Sequence, residues 1–390
     1  MAQFLRPHAN IARMEDASPA NAPEMDPSVA EAVNRHFNVA DAYWERTTPT
    51  FIVESRAEGY RRHLIKDAFK ALARDLKPLG YMPRIRWIVD NYQVSILTRE
   101  ESRAPDNRRN LALFAATLAT VYLDGYLRSD NPVLTQALMR GTPAALNAAL
   151  FTLAIITIFG VHELGHKAAS QLRGVEASMP YFIPAPPGMG GTLGAVITQR
   201  EPPVNRDALF DLGMSGPVAG FAATALMGLL GLRLSYVVPI QQISQWMTAY
   251  PEVRFQQMPM PMLLEQIAAL VRPTPEGTGL VMHPVAFAAW VGCVLTFINL
   301  IPAWQLDGGH IVRSLVGRES HKIISVGGVL LLVVSGYFIM GVVVAFFLMR
   351  EGAESMEPLD DISPLSLSRK LGFTLYFLIM ALSMVALIPT

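Results

Sequence analysis

The sequence is short of charge, nearly devoid of cysteine and balanced in sign. Only 16% of its 390 residues are charged, against about 25% in an ordinary soluble domain. Lys plus Arg and Asp plus Glu each total 32, so there is no surplus of positive charge to offer a basic face, and nucleic acid is not an expected partner. The one cysteine, Cys293, excludes a disulfide framework and a Cys-based zinc cluster. Within an apolar run such a thiol is a small hydrophobe. The first 25 residues hold no continuous apolar stretch, so no cleavable secretory signal is expected there.

What is present is unevenly spread. Residues 1–109 carry 17 Lys/Arg and 15 Asp/Glu, half of the charged total, although the chain as a whole is 51% hydrophobic. That asymmetry predicts a soluble N-terminal part followed by a bilayer part. Residues 1–40, rich in Pro and Ala between Ser18 and Pro27, lack a hydrophobic period and are expected to be irregular, with order only near Val33–Val39. A small soluble α/β domain is expected over 41–105. Thr50–Val53 has strand character after Pro49. Residues 58–76 set Tyr60, Leu64, Ile65, Ala68, Phe69, Leu72 and Leu76 on one helical face. Ile85, Trp87 and Val89, then Tyr92, Val94 and Ile96, alternate about a turn at Asp90–Asn91.

Residues 106–390 form the expected membrane-embedded domain. About 20 mostly apolar residues are needed to cross the hydrocarbon core as a helix. Six stretches qualify: 110–127, 144–161, 212–232, 284–306, 323–349 and 371–389, the last five without a charged residue. Between them, 234–283 is amphipathic, with Pro239, Pro251 and the Met258–Met262 tract, and is expected to be interfacial or re-entrant. The expected fold class is an all-α polytopic membrane protein of about six transmembrane helices, preceded by the small α/β domain. With the N-terminus cytoplasmic, about ten Lys/Arg lie near inner ends and eight outside, a small margin for the positive-inside rule.

The chemistry is concentrated in two stretches. His162-Glu163-Leu164-Gly165-His166 directly follows the apolar run 144–161. Residues four apart share a helix face, so two imidazoles can reach one ion. Glu163 is rotated by about 100° from His162 and can act as general base on water at the metal. A polar surface-helix end is the bland alternative. It loses here because ionisable groups on a membrane helix are costly and functional by default. A catalytic zinc takes three protein ligands and leaves one position open. The third candidate, Asp307, ends the stretch Asn299-Leu300-Ile301-Pro302-Ala303-Trp304-Gln305-Leu306-Asp307-Gly308-Gly309. Pro302 breaks the helix and the two glycines permit unusual backbone angles. On spacing alone, an ordinary helix-end loop accounts for Asp307 equally well.

Together the two motifs resemble the site-2 protease family of intramembrane metalloproteases. That family's pattern is HExxH on one core membrane helix and N-x-x-P-x-x-x-L-D-G on a later one, matched here at 162–166 and 299–309. The resemblance implies Zn2+ held by His162, His166 and Asp307, with Glu163 as general base and Asn299 near the substrate or ordering the site. It implies hydrolysis of peptide bonds within or near transmembrane segments of membrane protein substrates, and a multi-pass integral membrane protein. Oligomeric state is left open. Ser215-Gly216-Pro217-Val218-Ala219-Gly220 is similar to the family's G-P-x-A-G element, which packs the middle core helix against the site. Unaided, Gly216 and Gly220 indicate only close helix approach. The stretches 180–184 and 190–197, with Gly194 among them, have the look of a short β-hairpin near the active site, whose edge could add an unwound substrate as a strand; a buried loop folding over the zinc accounts for them equally well. The wording of 180–220 is most similar to the archaeal, cyanobacterial and plastid branch. Position 310 departs from the pattern: it is His, where relatives often carry Arg, and a role outside the ligand set is expected of it. His283 and His321 are expected to be interface residues.

Both motifs lie at the ends of their apolar runs. With a cytoplasmic N-terminus, the second and fourth crossings both run from outside to inside, so the histidines and Asp307 would meet near the cytoplasmic surface. A membrane metal transporter would instead scatter acidic and His residues over several helices, often with an internal repeat; here the polar groups gather in one constellation. A proteolytically silent relative would lack Glu163 or a ligand, and all four residues are present.

Overall fold

The computed structural model describes residues 26–54, 62–88, 91–99, 107–188, 190–253, 255–351 and 357–387. The chain divides into two compact units. The first joins the N-terminal 103 residues to two later segments, Pro202–Leu209 and Ser355–Leu367. Helix α1 (Pro27–His36) opens it. Asp26 caps this helix by accepting from the Ser28 N–H at 2.9 Å, and Pro27 occupies its first turn, where a missing N–H costs nothing. Residues 26–40 are therefore not irregular, as the composition suggested. Val29, Val33 and Phe37 recur at four-residue spacing and are buried, a short apolar stripe that the flanking Ala- and Pro-rich text obscured.

Strands β1 (Asn38–Glu45) and β2 (Thr48–Glu54), helix α2 (Arg62–Leu76), and strands β3 (Tyr81–Ile88) and β4 (Asn91–Thr98) follow. They form one antiparallel sheet in the order β1-β2-β4-β3. Residues 58–61 of the expected helix and 89–90 of the expected turn lie outside the described residues. Phe69, Leu72 and Leu76 of α2 pack on Phe51, Ile85, Val94 and Ile96 of the sheet. The later segments are built into the same unit: the Ile85 N–H donates to the Leu359 carbonyl at 3.0 Å, and the buried Lys66 ammonium lies 2.9 Å from Asp207.

The second unit is helical apart from two short β-pairs. Helices α3 (Asn107–Ser129), α4 (Ala144–Leu172) and α5 (Arg206–Leu234) are long and apolar enough to cross a membrane. Strands β5 (Tyr181–Pro184) and β6 (Thr192–Val196) form the expected hairpin between α4 and α5 in sequence. The amphipathic segment resolves into β7 (Tyr236–Pro239), α6 (Ile240–Ala249), α7 (Met262–Val271) and β8 (Thr278–Val281), with β7 and β8 paired. Helix α8 (Pro284–Leu300) spans 17 residues, and α9 (Asp307–Val316) begins at the motif aspartate.

The run 323–349 is not one crossing. It is divided between α10 (Arg318–Val334) and α11 (Phe338–Glu351), which pack on one another. Gly336 turns the chain at φ +90. A Cβ there would lie 2.5 Å from the Leu387 carbonyl, so only glycine fits. The turn is fastened by C-terminal residues: the Leu387 N–H donates to Ser335 O at 2.9 Å and the Tyr337 hydroxyl to Val385 O at 2.8 Å. Helix α12 (Leu367–Ser383) completes the unit.

Candidate metal centre

Helix α4 carries His162 and His166 one turn apart, as their spacing requires. Their Nε2 atoms lie 3.2 Å from each other. Asp307, the first residue of α9, reaches both: Oδ2 is 3.2 Å from His162 Nε2 and Oδ1 is 3.2 Å from His166 Nε2. Among the described residues these three are the group whose ligand atoms could share one ion, all within 4.8 Å of one another. The Asn299 amide stands 3.4 Å from His162 Nε2, so it too is at the cluster. Glu163 is buried beside it.

The donor set fits a cation. His166 Nδ1 donates to the Leu212 carbonyl at 2.7 Å; a carbonyl only accepts, so the proton sits on Nδ1 and the Nε2 lone pair faces the cluster. Two ring nitrogens and a carboxylate crowded together repel one another unless positive charge lies between them. Ligands about 2.05 Å from a tetrahedral zinc are about 3.3 Å apart, near the three 3.2 Å separations found here.

Helix α5 supplies the wall. A Cβ built at Gly216 would lie 2.0 Å from His166 Nε2, and one at Gly220 would lie 2.8 Å from His162 Nδ1. Any side chain at 216 would occupy the place of the imidazole. Pro217, buried inside α5, cannot supply the amide that would bond four residues back. Gly194 lies on β6, where a built Cβ would find Phe159 nearest at 3.6 Å, on the turn of α4 before His162.

The approach to Asp307 corrects one detail of the sequence reading. The unusual backbone angle falls not at the glycines but at Trp304, with φ 44. Gly308 and Gly309 serve close packing: Cβ atoms there would lie 2.1 Å from the carbonyls of Leu300 and Trp304. The Trp304 N–H donates to Ser325 Oγ at 3.2 Å, and its ring stacks on Phe347 with centroids 4.9 Å apart. His310 Nδ1 donates to the Leu306 carbonyl at 3.1 Å, and His310 is not among the three residues whose ligand atoms could share one ion. His283 and His321 are buried; His283 Nδ1 caps α8 by accepting from the Val285 N–H, and His321 bonds Ser325 within α10.

Residues 150–343 match peptidase family M50. The chain therefore carries an M50 domain. Its M50 region contains both motifs, the α5 glycines and most of the α10–α11 pair. The chain is 29% identical over 278 residues to "Probable zinc metalloprotease EGY2, chloroplastic" of Arabidopsis thaliana, covering 67% of this chain and 47% of that protein. It is 30% identical over 290 residues to the protein of the same name from Oryza sativa subsp. japonica, covering 71% and 49%. The similarity to "Probable zinc metalloprotease EGY1, chloroplastic" of Arabidopsis thaliana is 30% over 177 residues, 45% of this chain and 31% of that protein. The chain thus spans about half the length of the EGY2 relatives it matches. No solved structure matches.

Three features of the M50 site were not singled out from sequence: the Leu212 carbonyl that orients His166, the close approach of Gly213 to the His310 Cβ, 2.9 Å from a built Cβ, and the hold of α10 on Trp304. The first two lie on the small-residue face of α5 at helical spacing from Gly216, which is the signal that could have found them.

Proposed function

We propose that this chain is a multi-pass membrane zinc endopeptidase that hydrolyses peptide bonds within or near transmembrane segments of membrane proteins. The observation that carries this reading is the convergence of His162 and His166 with Asp307, 141 positions after His166, at three separations of 3.2 Å. The M50 domain and the names of the relatives support it.

In this reading His162, His166 and Asp307 hold the metal. Zinc supplies the Lewis acidity that makes water nucleophilic near neutral pH and polarises the scissile carbonyl. Glu163, on the same helix but rotated off the ligand face, takes the proton from the attacking water and returns it to the leaving amine. Leu212 O holds His166 in the tautomer that presents Nε2. Asn299 steadies the His162 edge of the cluster and is available to a substrate carbonyl. Burial of the cluster excludes bulk water and strengthens each of these interactions. The β6 edge is the place at which an unwound substrate segment adds as a strand.

The site lies toward the cytoplasmic side in this reading. Its depth depends only on the parity of α3, α4, α5 and α8, and the turn at Gly336 leaves that parity untouched. The expected six crossings are then reduced in kind: α10 and α11 enter and return as a pair, while the 17-residue helices α8 and α12 join the three long ones. The first unit is a soluble accessory domain.

The test is reconstitution of the full chain with zinc and single-pass membrane substrates, comparing wild type with Glu163→Gln. The variant is expected to keep its zinc and to lose cleavage by at least about 100- to 10,000-fold, the contribution of a general base. Wild-type turnover in the variant removes Glu163 as the base.

A further inference from the structure

Helix α3 carries a carboxylate that the chemistry above does not use. Asp124 is 1% exposed within the apolar run 110–127, and an ionisable group at such a site needs specific partners. One turn later, Arg128 Nε donates to Asp124 Oδ2 at 2.6 Å. The Gly188 N–H donates to Asp124 Oδ1, and Arg128 Nη2 donates to the Gly188 carbonyl at 3.3 Å. Both backbone groups of one residue in the β5–β6 turn are thus taken by the two members of one ion pair. The guanidinium also lies 4.4 Å from the centre of the Phe287 ring on α8, a cation–π contact that fixes its far face.

The rest of the hairpin is fastened to the same helix. Thr120 Oγ1 donates to the Gly191 carbonyl at 2.7 Å, and a Cβ at Gly191 would lie 2.4 Å from the Val121 Cα. At the base, Asn110 Nδ2 donates to the carbonyls of Met179 at 3.0 Å and Pro180 at 3.2 Å. From Asn110 to Arg128 is about 27 Å along the helix, close to the depth of a hydrocarbon core. A lone two-stranded hairpin is marginally stable, so its position must come from what it docks on. Its other side meets α4 at Phe159, one turn before His162, and leaves Leu193 and Val196 exposed at 59% and 49%.

We propose that Asp124 and Arg128 are positioning residues: their ion pair latches the β5–β6 hairpin to α3 and so fixes the edge beside the metal ligands along which an extended substrate segment is held. The purpose of the edge rests on the protease reading; the latch itself does not.

The experiment is hydrogen–deuterium exchange over residues 179–196 of the full chain in detergent, for wild type, Asp124→Asn, Arg128→Met, Arg128→Lys and Arg140→Met. Arg140 lies beyond the same end of α3, and its Nε donates to the Gln136 carbonyl. Asp124→Asn and Arg128→Met are expected to speed hairpin exchange about tenfold or more with zinc content unchanged. Arg128→Lys, which keeps the charge but not the fork, recovers part of the protection, and Arg140→Met changes nothing. With a membrane substrate, KM rises several-fold in the first two variants and kcat changes less. Hairpin protection equal to wild type in both variants overturns the latch, and so does a rise in exchange shared by α4 and α5, since the pair would then serve general stability. Should the wild type cleave nothing, the protease reading fails while the exchange data still decide the latch.

Discussion

The two halves of the candidate metal cluster are presented by opposite kinds of backbone. His162 and His166 sit inside a regular 29-residue helix, where periodicity alone aligns them. Asp307 follows six residues of non-helical chain between α8 and α9, including a tryptophan at φ 44. The regular half holds its ligands by helix geometry and needs only clearance, which Gly216 and Gly220 of α5 supply. The irregular half has no such internal ruler. It is held from outside by Ser325 and Phe347 and from below by the glycine contacts on Leu300 and Trp304. A carboxylate placed directly after such a loop can meet the histidines because nothing in the loop imposes a helical register.

That contrast can be broken most forcefully at the ligands. Asp307→Ala is expected to weaken zinc binding by more than about 100-fold, beyond the 10- to 100-fold typical of outer partners, and His162→Ala by a similar amount, read by competition with a chelator. Unchanged stoichiometry in Asp307→Ala means that another residue is the third ligand. The clearance on the regular side is probed by Gly216→Ala, whose methyl would lie 2.0 Å from His166 Nε2. It is expected to lower zinc affinity about tenfold or more, whereas Gly220→Ala, with its nearest atom at 2.8 Å, costs less. Similar small losses from both would show that α5 yields.

The irregular side is sharpened by two replacements at one position. Trp304→Ala and Trp304→Gly both lose the stack on Phe347, but only glycine relieves the left-handed backbone. The glycine variant is therefore expected to be more stable than the alanine variant by about 1 kcal/mol, as a higher melting temperature. Equal melting would mean that Trp304 carries no backbone strain.

The same contrast explains what could be read without coordinates. The paired histidines were legible because their spacing is a helix property, and Asp307 because Pro302, Gly308 and Gly309 break the pattern around it. The glycines nevertheless act through space rather than through unusual angles, since the carbonyls they touch belong to Leu300 and Trp304, eight and five positions away, which only folding brings close. The break in 323–349 was hidden because the run is apolar on both sides of Gly336, and the residues that fasten the turn, Val385 and Leu387, lie some 50 positions later. In the first unit, alternation announced β3 and β4, and the residues after Pro49 announced β2, whereas the apolar stripe of α1 is too short to stand out from the Ala- and Pro-rich text around it. Lys66 gave no sign of its partner because Asp207 is supplied by a distant segment.

The convergence of two imidazoles and one carboxylate on a single ion is tested most directly by X-ray absorption at the zinc edge of the full chain. Two imidazole nitrogens with oxygen ligands, all at about 2.0–2.2 Å, are expected. A shell containing a third imidazole would place His310 where Asp307 is proposed, and a shell lacking the carboxylate oxygen would contradict the site outright.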